Sequence, residues 1–434
     1  MEGSSQMSRM RAWRDRWVAR WYFPYFLERK ERRIGTGSGR LSRPFVRVAV
    51  GALGVSVAAM VVALSVAKGF QREIGERTVG FVGHIQLVNL DMNASYEQRP
   101  IARQQPFLPA VRSLPGVLSV GAFGVKAGIV KTADQMQGCV LKGVDSTRDL
   151  LFFTKYLQRG RLPDFTGVEP SLETMISESF AKALFLDTGQ DVVVYFVERP
   201  PRVRKFHIVG VYDTQMHEFD MTYLYCDLRH IQQLNDWGAD RVGGYEVRVG
   251  ELEDLDRVYG QVEDLCTYEL QPDGTLLQAV DVREKYSTIF DWLALQDINV
   301  AVLLTIILMV AGVNMVTALL ILILERTWQI GLLKALGATN GQIRRLFLLK
   351  ALRILIWGLV IGNAVGVGIC LAQHYWHFAR LNPEEYYMDH VPVLVQGGMV
   401  LLVNAGVVLV TLLMLLIPSG LLARVSPVEA MRME

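Results

Sequence analysis

Four long segments of the chain contain no charged residue, and each is long enough to cross a membrane. They comprise residues 48–67, 298–324, 354–379 and 391–423. At a rise of about 1.5 Å per residue, roughly 20 apolar residues span a hydrocarbon layer about 30 Å thick. A soluble core is rarely that thick, so we predict four transmembrane helices. Their expected bounds are 45–68, 297–324, 354–379 and 397–423.

The segment between the first two apolar stretches, residues 69–296, has the pattern of a water-exposed domain. Runs rich in β-branched residues alternate there with helical patterns. The predicted strands are 84–88, 118–131, 137–143, 191–197, 204–212 and 244–249, and the predicted helices are 177–186, 227–236 and 252–265. The expected fold class is therefore a membrane protein of four transmembrane helices with a large α+β extracytoplasmic domain inserted between the first and second. Its length of about 230 residues suffices for one large or two small domains, and we prefer two intertwined subdomains.

The end of the inserted segment carries a further helical pattern. Ile289, Trp292 and Leu293 fall on one side of a helix over 281–297. We predict that this stalk helix continues unbroken into the second transmembrane helix. Because helical hydrogen bonds resist shortening, such a helix can transmit displacement.

Composition fits a mixed architecture, since 51% of the residues are hydrophobic and 20% are charged, with a mean hydropathy of +0.25. Basic residues near the span ends predict the orientation. The N-terminal segment 1–44 and the loop 325–353 are strongly cationic, whereas the loop 380–396 holds three carboxylates and one arginine. We expect an inner-membrane protein with both termini, including the tail 424–434, in the cytoplasm and residues 69–296 in the periplasm.

A cleaved signal peptide is a rival interpretation of the first apolar stretch, because Ser65-Val66-Ala67 resembles a cleavage site. The basic leader before it, residues 1–47, is too long for a signal peptide, so a retained anchor is favoured. Arginines mixed with aromatic residues in segment 1–44 are typical of an interfacial helix on membrane lipid. That interpretation is favoured over nucleic-acid binding.

The sequence lacks the motifs of common catalysts and metal sites. Its histidines form no His-Glu-x-x-His, and Cys139, Cys226, Cys266 and Cys370 form no Cys-x-x-Cys. We therefore predict no catalytic residue and no metal, while one disulfide among the three cysteines of 69–296 stays open. No Gly-x-x-x-x-Gly-Lys-Ser/Thr loop occurs, so no cofactor and no nucleotide site is expected in this chain.

Two polar features admit two interpretations each. The run Glu198-Arg199-Pro200-Pro201-Arg202 is a short stiff connection between predicted strands, because proline cannot donate to a ladder, and it is either an exposed turn or a docking hairpin. Asn314, Asn363 and Asn404 lie inside predicted spans. Interhelical hydrogen bonds are favoured there over substrate contacts.

The loop after the second span predicts a compact helical elbow. A short helix ends near Leu336, because Gly337 can adopt the left-handed conformation of a C-terminal cap. Thr339 and Gln342 form a capping box that starts the next helix. The chemistry alone is equally consistent with a simple connector.

Residues 325–338 read Glu-Arg-Thr-Trp-Gln-Ile-Gly-Leu-Leu-Lys-Ala-Leu-Gly-Ala. They resemble the Glu-Arg-x-x-Glu-Ile-Gly-x-Leu-x-Ala-x-Gly-Ala pattern of the MacB/FtsX-like ABC permease superfamily, with Gln329 where Glu is usual. Segment 418–432 resembles that superfamily's Pro-x-x-x-Ala…Pro-x-Glu-Ala-Leu-Arg tail. Residues 50–70 and Gly83-His84-Ile85-Gln86 are similar to lipoprotein-releasing (LolC/LolE-type) permeases in particular.

This resemblance implies a permease dimer bound to two copies of a separate ABC ATPase, which binds the ATP. The second permease would be an identical copy or a homologous chain. A short element after the second span would seat in a groove of the ATPase. The residues that match it are Arg326, Gln329, Ile330, Gly331, Leu333, Lys334, Ala335, Leu336 and Gly337.

The resemblance also implies release of lipoproteins from the inner membrane to a periplasmic lipoprotein carrier, driven mechanically by the ATPase. Exposing acyl chains to water costs about 0.8 kcal/mol per CH₂, so we expect an apolar shelter between the first span and the partner's second span. Its expected lining is Val57, Met60, Leu64, Leu303 and Ile307. Two alternatives stay open, an FtsX-like transmitter that activates a cell-wall hydrolase and a non-transporting receptor with a ligand-binding outer domain.

Overall fold

The computed structural model describes residues 42–90, 96–133, 135–147, 150–250, 254–266 and 274–416. They form two compact units. The helical unit contains the residues up to Gly69, Leu295–Phe378 and those from Pro392 onward, and the inserted domain contains Phe70–Ala294 and Ala379–Val391. Most of the predicted segment 1–44, the tail 424–434 and the motif in 418–432 lie outside the described residues.

The helices of the described chain, in order, are α1 (Ser42–Val82), α2 (Leu108–Ser113), α3 (Leu151–Thr154), α4 (Glu178–Leu184), α5 (His217–Thr222), α6 (Leu228–Leu234), α7 (Leu255–Cys266), α8 (Val282–Lys285), α9 (Ser287–Glu325), α10 (Thr327–Ala335), α11 (Asn340–Trp376), α12 (Pro383–Tyr386) and α13 (Gly397–Met414). The strands are β1 (Ile85–Asn89), β2 (Ile101–Ala102), β3 (Val117–Lys131), β4 (Met136–Val144), β5 (Leu157–Gly160), β6 (Glu173–Ser177), β7 (Asp191–Phe196), β8 (Arg202–Tyr212), β9 (Tyr223–Asp227), β10 (Arg241–Val242), β11 (Gly244–Val249) and β12 (Leu277–Asp281).

Four helices of the described chain are long and apolar enough to cross a membrane, namely α1, α9, α11 and α13. They confirm the predicted number of transmembrane helices. Helix α1 continues well past the expected limit at residue 68 and passes through Gly69, Gly75 and Gly80, and no proline interrupts it. Gly83 has φ +73°, and its N–H donates to the carbonyl of Val79 at 2.8 Å, which ends the helix.

Helices α1 and α11 pack closely through glycines within the helical unit. Gly358, Gly362 and Gly366 recur at every fourth position of α11. A Cβ atom at Gly362 would lie 2.6 Å from Val57 Cβ and 2.7 Å from the carbonyl oxygen of Gly54. Residues without a side chain therefore let the two backbones approach, as at many helix contacts in membranes.

The inserted domain is built on a ten-stranded mixed sheet in the order β12-β1-β11-β3-β4-β9-β6-β8-β5, with β7 paired to both β3 and β8. The pairs β4–β9 and β6–β8 are parallel, and the other ladders are antiparallel. Because β7 joins β8 back to β3, the strands β3, β4, β9, β6, β8 and β7 close on themselves. A small second ladder pairs β10 with β2.

All six predicted strands and all three predicted helices of the inserted domain occur within three residues of their expected bounds. The expected two intertwined subdomains stay a prediction. One hydrogen-bonded sheet runs through the domain, and its buried residues form one cluster that extends from Val79 to Val282. The α+β class is confirmed.

The predicted stalk helix over 281–297 was wrong in its first six residues, whereas from Ser287 it continues unbroken into the second membrane helix. Residues 277–281 form β12, and Asp281 caps α8 by accepting a hydrogen bond from Arg283 N at 2.8 Å. Tyr286 leaves the helical conformation, with φ −114° and ψ 43°, and α9 begins only at Ser287. The break at Tyr286 therefore separates the short helix α8 from the long helix α9.

The two chain segments that leave and enter the long helices meet at one edge of the sheet. Strand β1 follows α1, strand β12 precedes α8 and α9, and the two strands pair antiparallel with Ile85 opposite Asp281. The N–H of Val282 donates to the carbonyl of His84 at 3.0 Å. Phe81, near the end of α1, stacks on Phe219 with 4.9 Å between ring centroids and is fully buried in the domain core.

Candidate functional site

The elbow predicted after the second span is a nine-residue helix, α10, separated from α9 by Arg326. Arg326 has φ −105° and ψ 15°, so it lies outside the helical conformation. Its Nη1 donates to Gln329 Oε1 at 2.7 Å, and Thr327 Oγ1 donates to the carbonyl of Leu324 at 2.8 Å. These side chains hold the break between two consecutive helices.

The end of α10 has both predicted caps. Gly337 has φ +92°, its N–H donates to the Lys334 carbonyl at 3.0 Å, and Ala338 N donates to the Leu333 carbonyl at 2.8 Å. This pair of bonds is a Schellman motif. Thr339 and Gln342 form a complete capping box at the start of α11. The bounds of the elbow therefore follow from local sequence.

The matched coupling residues fall into three classes of exposure. Ile330 and Gly331 are buried, Arg326, Gln329, Leu333 and Lys334 are half-buried, and Ala335, Leu336 and Gly337 are exposed. Ile330 belongs to the core of the helical unit, so it anchors α10 to its own chain. Only part of the predicted set is thus available to a partner.

Exposed apolar residues on this elbow form a ridge of which the prediction named only Leu336. Leu324, Trp328, Leu332 and Leu336 recur at every fourth position, and they are 73%, 56%, 42% and 77% exposed. Trp328 and Leu332 lie on the same side of α10, Leu336 follows at its end, and Leu324 lies in α9 before the break at Arg326. The spacing in the sequence was the available signal, although the family pattern leaves Trp328 and Leu332 unspecified. We call these four residues the elbow ridge.

The predicted cleft residues do not form one open surface in a single chain. Val57 and Met60 are buried, and Val57 faces Gly362 of α11. Leu64 and Ile307 are half-buried against the same core, whereas Leu303 is 46% exposed. Val57 and Met60 therefore serve packing within the chain in this structure.

Two of the three intramembrane asparagines hydrogen-bond to each other. Asn363 Nδ2 donates to Asn404 Oδ1 at 2.8 Å, and Asn404 Nδ2 donates to Asn363 Oδ1 at 3.3 Å. Asn363 Nδ2 also donates to the Leu359 carbonyl of its own helix. The favoured interhelical role is confirmed for this pair, which joins α11 to α13, while Asn314 is half-buried.

Ionisable groups in the described residues do not assemble a metal centre. No cluster of three His, Cys, Asp or Glu side chains there could hold a metal ion. The four cysteines are buried free thiols, so none of them forms a disulfide in this structure. Burial lowers the pKa of His84 to about 4, and His84 Nδ1 accepts a hydrogen bond from Val249 N, so it is a neutral structural residue.

The connection between β7 and β8 is short. It comprises residues 197–201, so it begins one residue earlier and ends two residues earlier than the predicted connection 198–203. Arg202 at its end pairs with Asp236 at 2.5 Å, and Val197 is exposed. The segment is an exposed turn rather than a long protruding hairpin.

The comparisons with known proteins cover both units. Residues 48–265 match the family model described as the MacB-like periplasmic core domain, and residues 301–427 match the FtsX-like permease C-terminal family. The chain belongs to the MacB/FtsX-like ABC permease superfamily. This permease is therefore a multi-pass inner-membrane protein with a MacB-like domain between its first and second membrane helices.

Two curated relatives align along nearly the whole permease. LolC of Neisseria meningitidis, a lipoprotein-releasing system transmembrane protein, is 23% identical over 411 residues, which is 89% of this chain and 94% of LolC. LolE of Haemophilus influenzae is 21% identical and covers 94% of this chain and 99% of its own. Among solved structures, the periplasmic region of MacB from Actinobacillus actinomycetemcomitans covers 49% of this chain and 95% of its own, with 17% identity and a TM-score of 0.32.

Proposed function

We propose that this permease belongs to an ATP-driven transporter that releases lipoproteins from the inner membrane and delivers them to a periplasmic carrier. The observation that carries the proposal is the alignment of lipoprotein-releasing permeases along 89% to 94% of the chain. Shared helices and inserted domain, in the same order, support a shared mechanism. Both termini and α10 lie in the cytoplasm in this proposal, and the inserted domain lies in the periplasm, as the basic residues of 325–353 favour.

In this proposal, α10 is the coupling helix and a separate ABC ATPase binds the ATP. Two ATPase copies act on a dimer of this permease or on a pair with a homologous chain. The elbow ridge supplies a rigid apolar contact, because Ile330 fixes α10 to the helical unit. Segment 325–353 has six cationic side chains and one carboxylate, so an acidic rim on the ATPase groove would complement it.

Removing the ridge should separate the permease from its ATPase. A tagged W328A/L332A chain should capture the ATPase from detergent extract about tenfold less well, because a large aromatic anchor commonly dominates an interface. The matched control is W357A, which truncates a 53% exposed tryptophan on α11. Quantitative mass spectrometry of the captured proteins measures both. Equal capture by W328A/L332A and wild type contradicts the assignment of the ridge.

Acyl extraction needs shelter as well as ATP, since each exposed CH₂ costs about 0.8 kcal/mol. Helix α9 presents exposed apolar side chains, including Leu303, Ile306 and Val310, that a second permease and the acyl chains can share. The proposed cleft therefore uses Leu303 together with Leu64 and Ile307. Val57 and Met60 would contribute only after α1 separates from α11.

Depletion of the permease tests the function itself. We expect mature lipoproteins to accumulate in the inner membrane, which density-gradient fractionation and immunoblotting measure. Normal lipoprotein sorting in depleted cells refutes the proposal. Capture of a cell-wall hydrolase by the tagged chain favours an FtsX-like signalling role instead, and capture of neither an ATPase nor lipoprotein favours a receptor.

A further inference from the structure

The end of α1 is held by buried polar groups of the inserted domain. Lys142 of β4 and Glu246 of β11 form an ion pair with 2.5 Å between Lys142 Nζ and Glu246 Oε1, and their side chains are 2% and 1% exposed. Lys142 Nζ also donates to the Phe81 carbonyl at 2.5 Å. Tyr225 Oη donates to the same oxygen at 3.2 Å. Carbonyls in the last turn of a helix lack partners within the helix, so these donors complete α1.

The same hydrogen-bonded path continues to the segment before α9. Gln86 Nε2 donates to Glu246 Oε1 at 3.0 Å and to the Val82 carbonyl at 3.1 Å. Lys285 Nζ donates to Gln86 Oε1 at 2.6 Å. Lys285 ends α8, and α9 begins two residues later. Side chains thus connect the last carbonyls of α1 with the start of α9, beside the β1–β12 ladder.

Stability alone does not account for a charge pair at this place. Moving two ions out of water costs several kcal/mol each, and well-packed apolar residues of similar volume often stabilise a fold equally well. The pair instead fixes the geometry of the contact with the end of α1. The Lys142 ammonium faces the negative end of the α1 dipole and has one geometry that satisfies both Glu246 and the Phe81 carbonyl.

We infer, on the basis of the proposed transport function, that Lys142 is a positioning residue for transmission. Acting through Glu246 and the Phe81 carbonyl, it fixes the end of α1 to the start of α9. The two helices then deliver ATP-driven movement to the inserted domain as one lever. Without this joint, the ATPase would move the helices while the domain responded incompletely.

The double variant K142M/E246L removes both charges while keeping similar volume. We expect its complex to assemble, to melt at the wild-type temperature and to hydrolyse ATP, yet to release about fivefold less lipoprotein per ATP in proteoliposomes. The control K126M/E198L removes another ion pair of the same sheet, with side chains 11% and 24% exposed. It should release lipoprotein as the wild type does.

A distance measurement tests the joint without reference to cargo. Spin labels on E76C in α1 and D291C in α9 should keep one separation in the wild-type complex with and without trapped ATP. In K142M/E246L that separation should change when ATP is trapped. If K142M/E246L does not assemble, K142M/E246Q retains a partner for Gln86 while removing the donor to Phe81, and the same change is expected.

Wild-type release from K142M/E246L, together with an unchanged label separation, overturns the inference and leaves the pair as packing only. Absence of lipoprotein release from the wild-type complex defeats the proposed function instead. The label separation then still decides whether Lys142 couples the two helices.

Discussion

Asp220 is a fully buried carboxylate next to the end of α1. Its Oδ1 accepts a hydrogen bond from Thr214 Oγ1 at 2.7 Å, while Oδ2 has no partner among the described residues. Burial, together with the negative charge of Asp213, raises the pKa of Asp220 to about 7, although the positive charge of Arg77 lowers it. The group thus changes charge near neutral pH, inside the segment that contacts α1.

The sign of the resulting pH dependence follows from linkage. The folded pKa lies above the ordinary value of 3.8, so the folded state binds the proton more tightly than the unfolded state. This stabilisation is complete below about pH 4 and is lost as the pH rises through about 7. We expect D220N, which mimics the protonated group, to lose less stability than wild type between about pH 4 and pH 8. Melting temperatures across that range measure it, and parallel curves contradict it.

At the scale of elements, the contact between α1 and α11 sets how closely the helices approach. We expect G362A to lower the melting temperature, because its methyl group would meet Val57 Cβ and the Gly54 carbonyl. Overpacking of this kind costs about 1–3 kcal/mol. The matched control is G368A on the same helix, where nothing lies within 4 Å of an added Cβ. It should be neutral or gain up to about 1 kcal/mol from helix propensity.

The difference between the two variants decides this prediction. Equal melting temperatures for G362A and G368A would mean that α1 and α11 tolerate a wider separation. Loss of ATP-dependent lipoprotein release in G362A with an unchanged melting temperature would assign the contact to movement rather than to stability.

Elements whose signals lie within a few residues were predictable. The caps at Gly337 and Thr339 depend on neighbours in sequence, and both occur as expected. The stalk prediction missed two local features, the cap at Asp281, whose side chain accepts a hydrogen bond from Arg283 N, and the break at Tyr286. The burial of Val57 was not predicted, because it depends on Gly362, more than 300 residues away in the chain. Contacts between distant segments leave no local signal.

For the whole molecule, the order of the membrane helices and the inserted domain along the chain was predictable from the sequence. Charge-free stretches gave four membrane helices, and alternation gave six of the strands. Strands β6 and β9 are almost entirely buried, so they lack the alternation that identifies a half-exposed strand. The closed arrangement of strands and the Lys142–Glu246 joint depend on partner choice across the domain. Neither feature has a signal in neighbouring residues of the sequence.

The neighbouring positions of β1 and β12 mean that the domain starts and finishes at nearly one point. Paired strands lie about 4.8 Å apart, less than the roughly 8–10 Å between the axes of packed helices. A domain whose first and last strands are neighbours can therefore be inserted into the loop between two helices without separating them. An exchange of the domain between relatives would have to include the end of α1, because Phe81 is buried in the domain core.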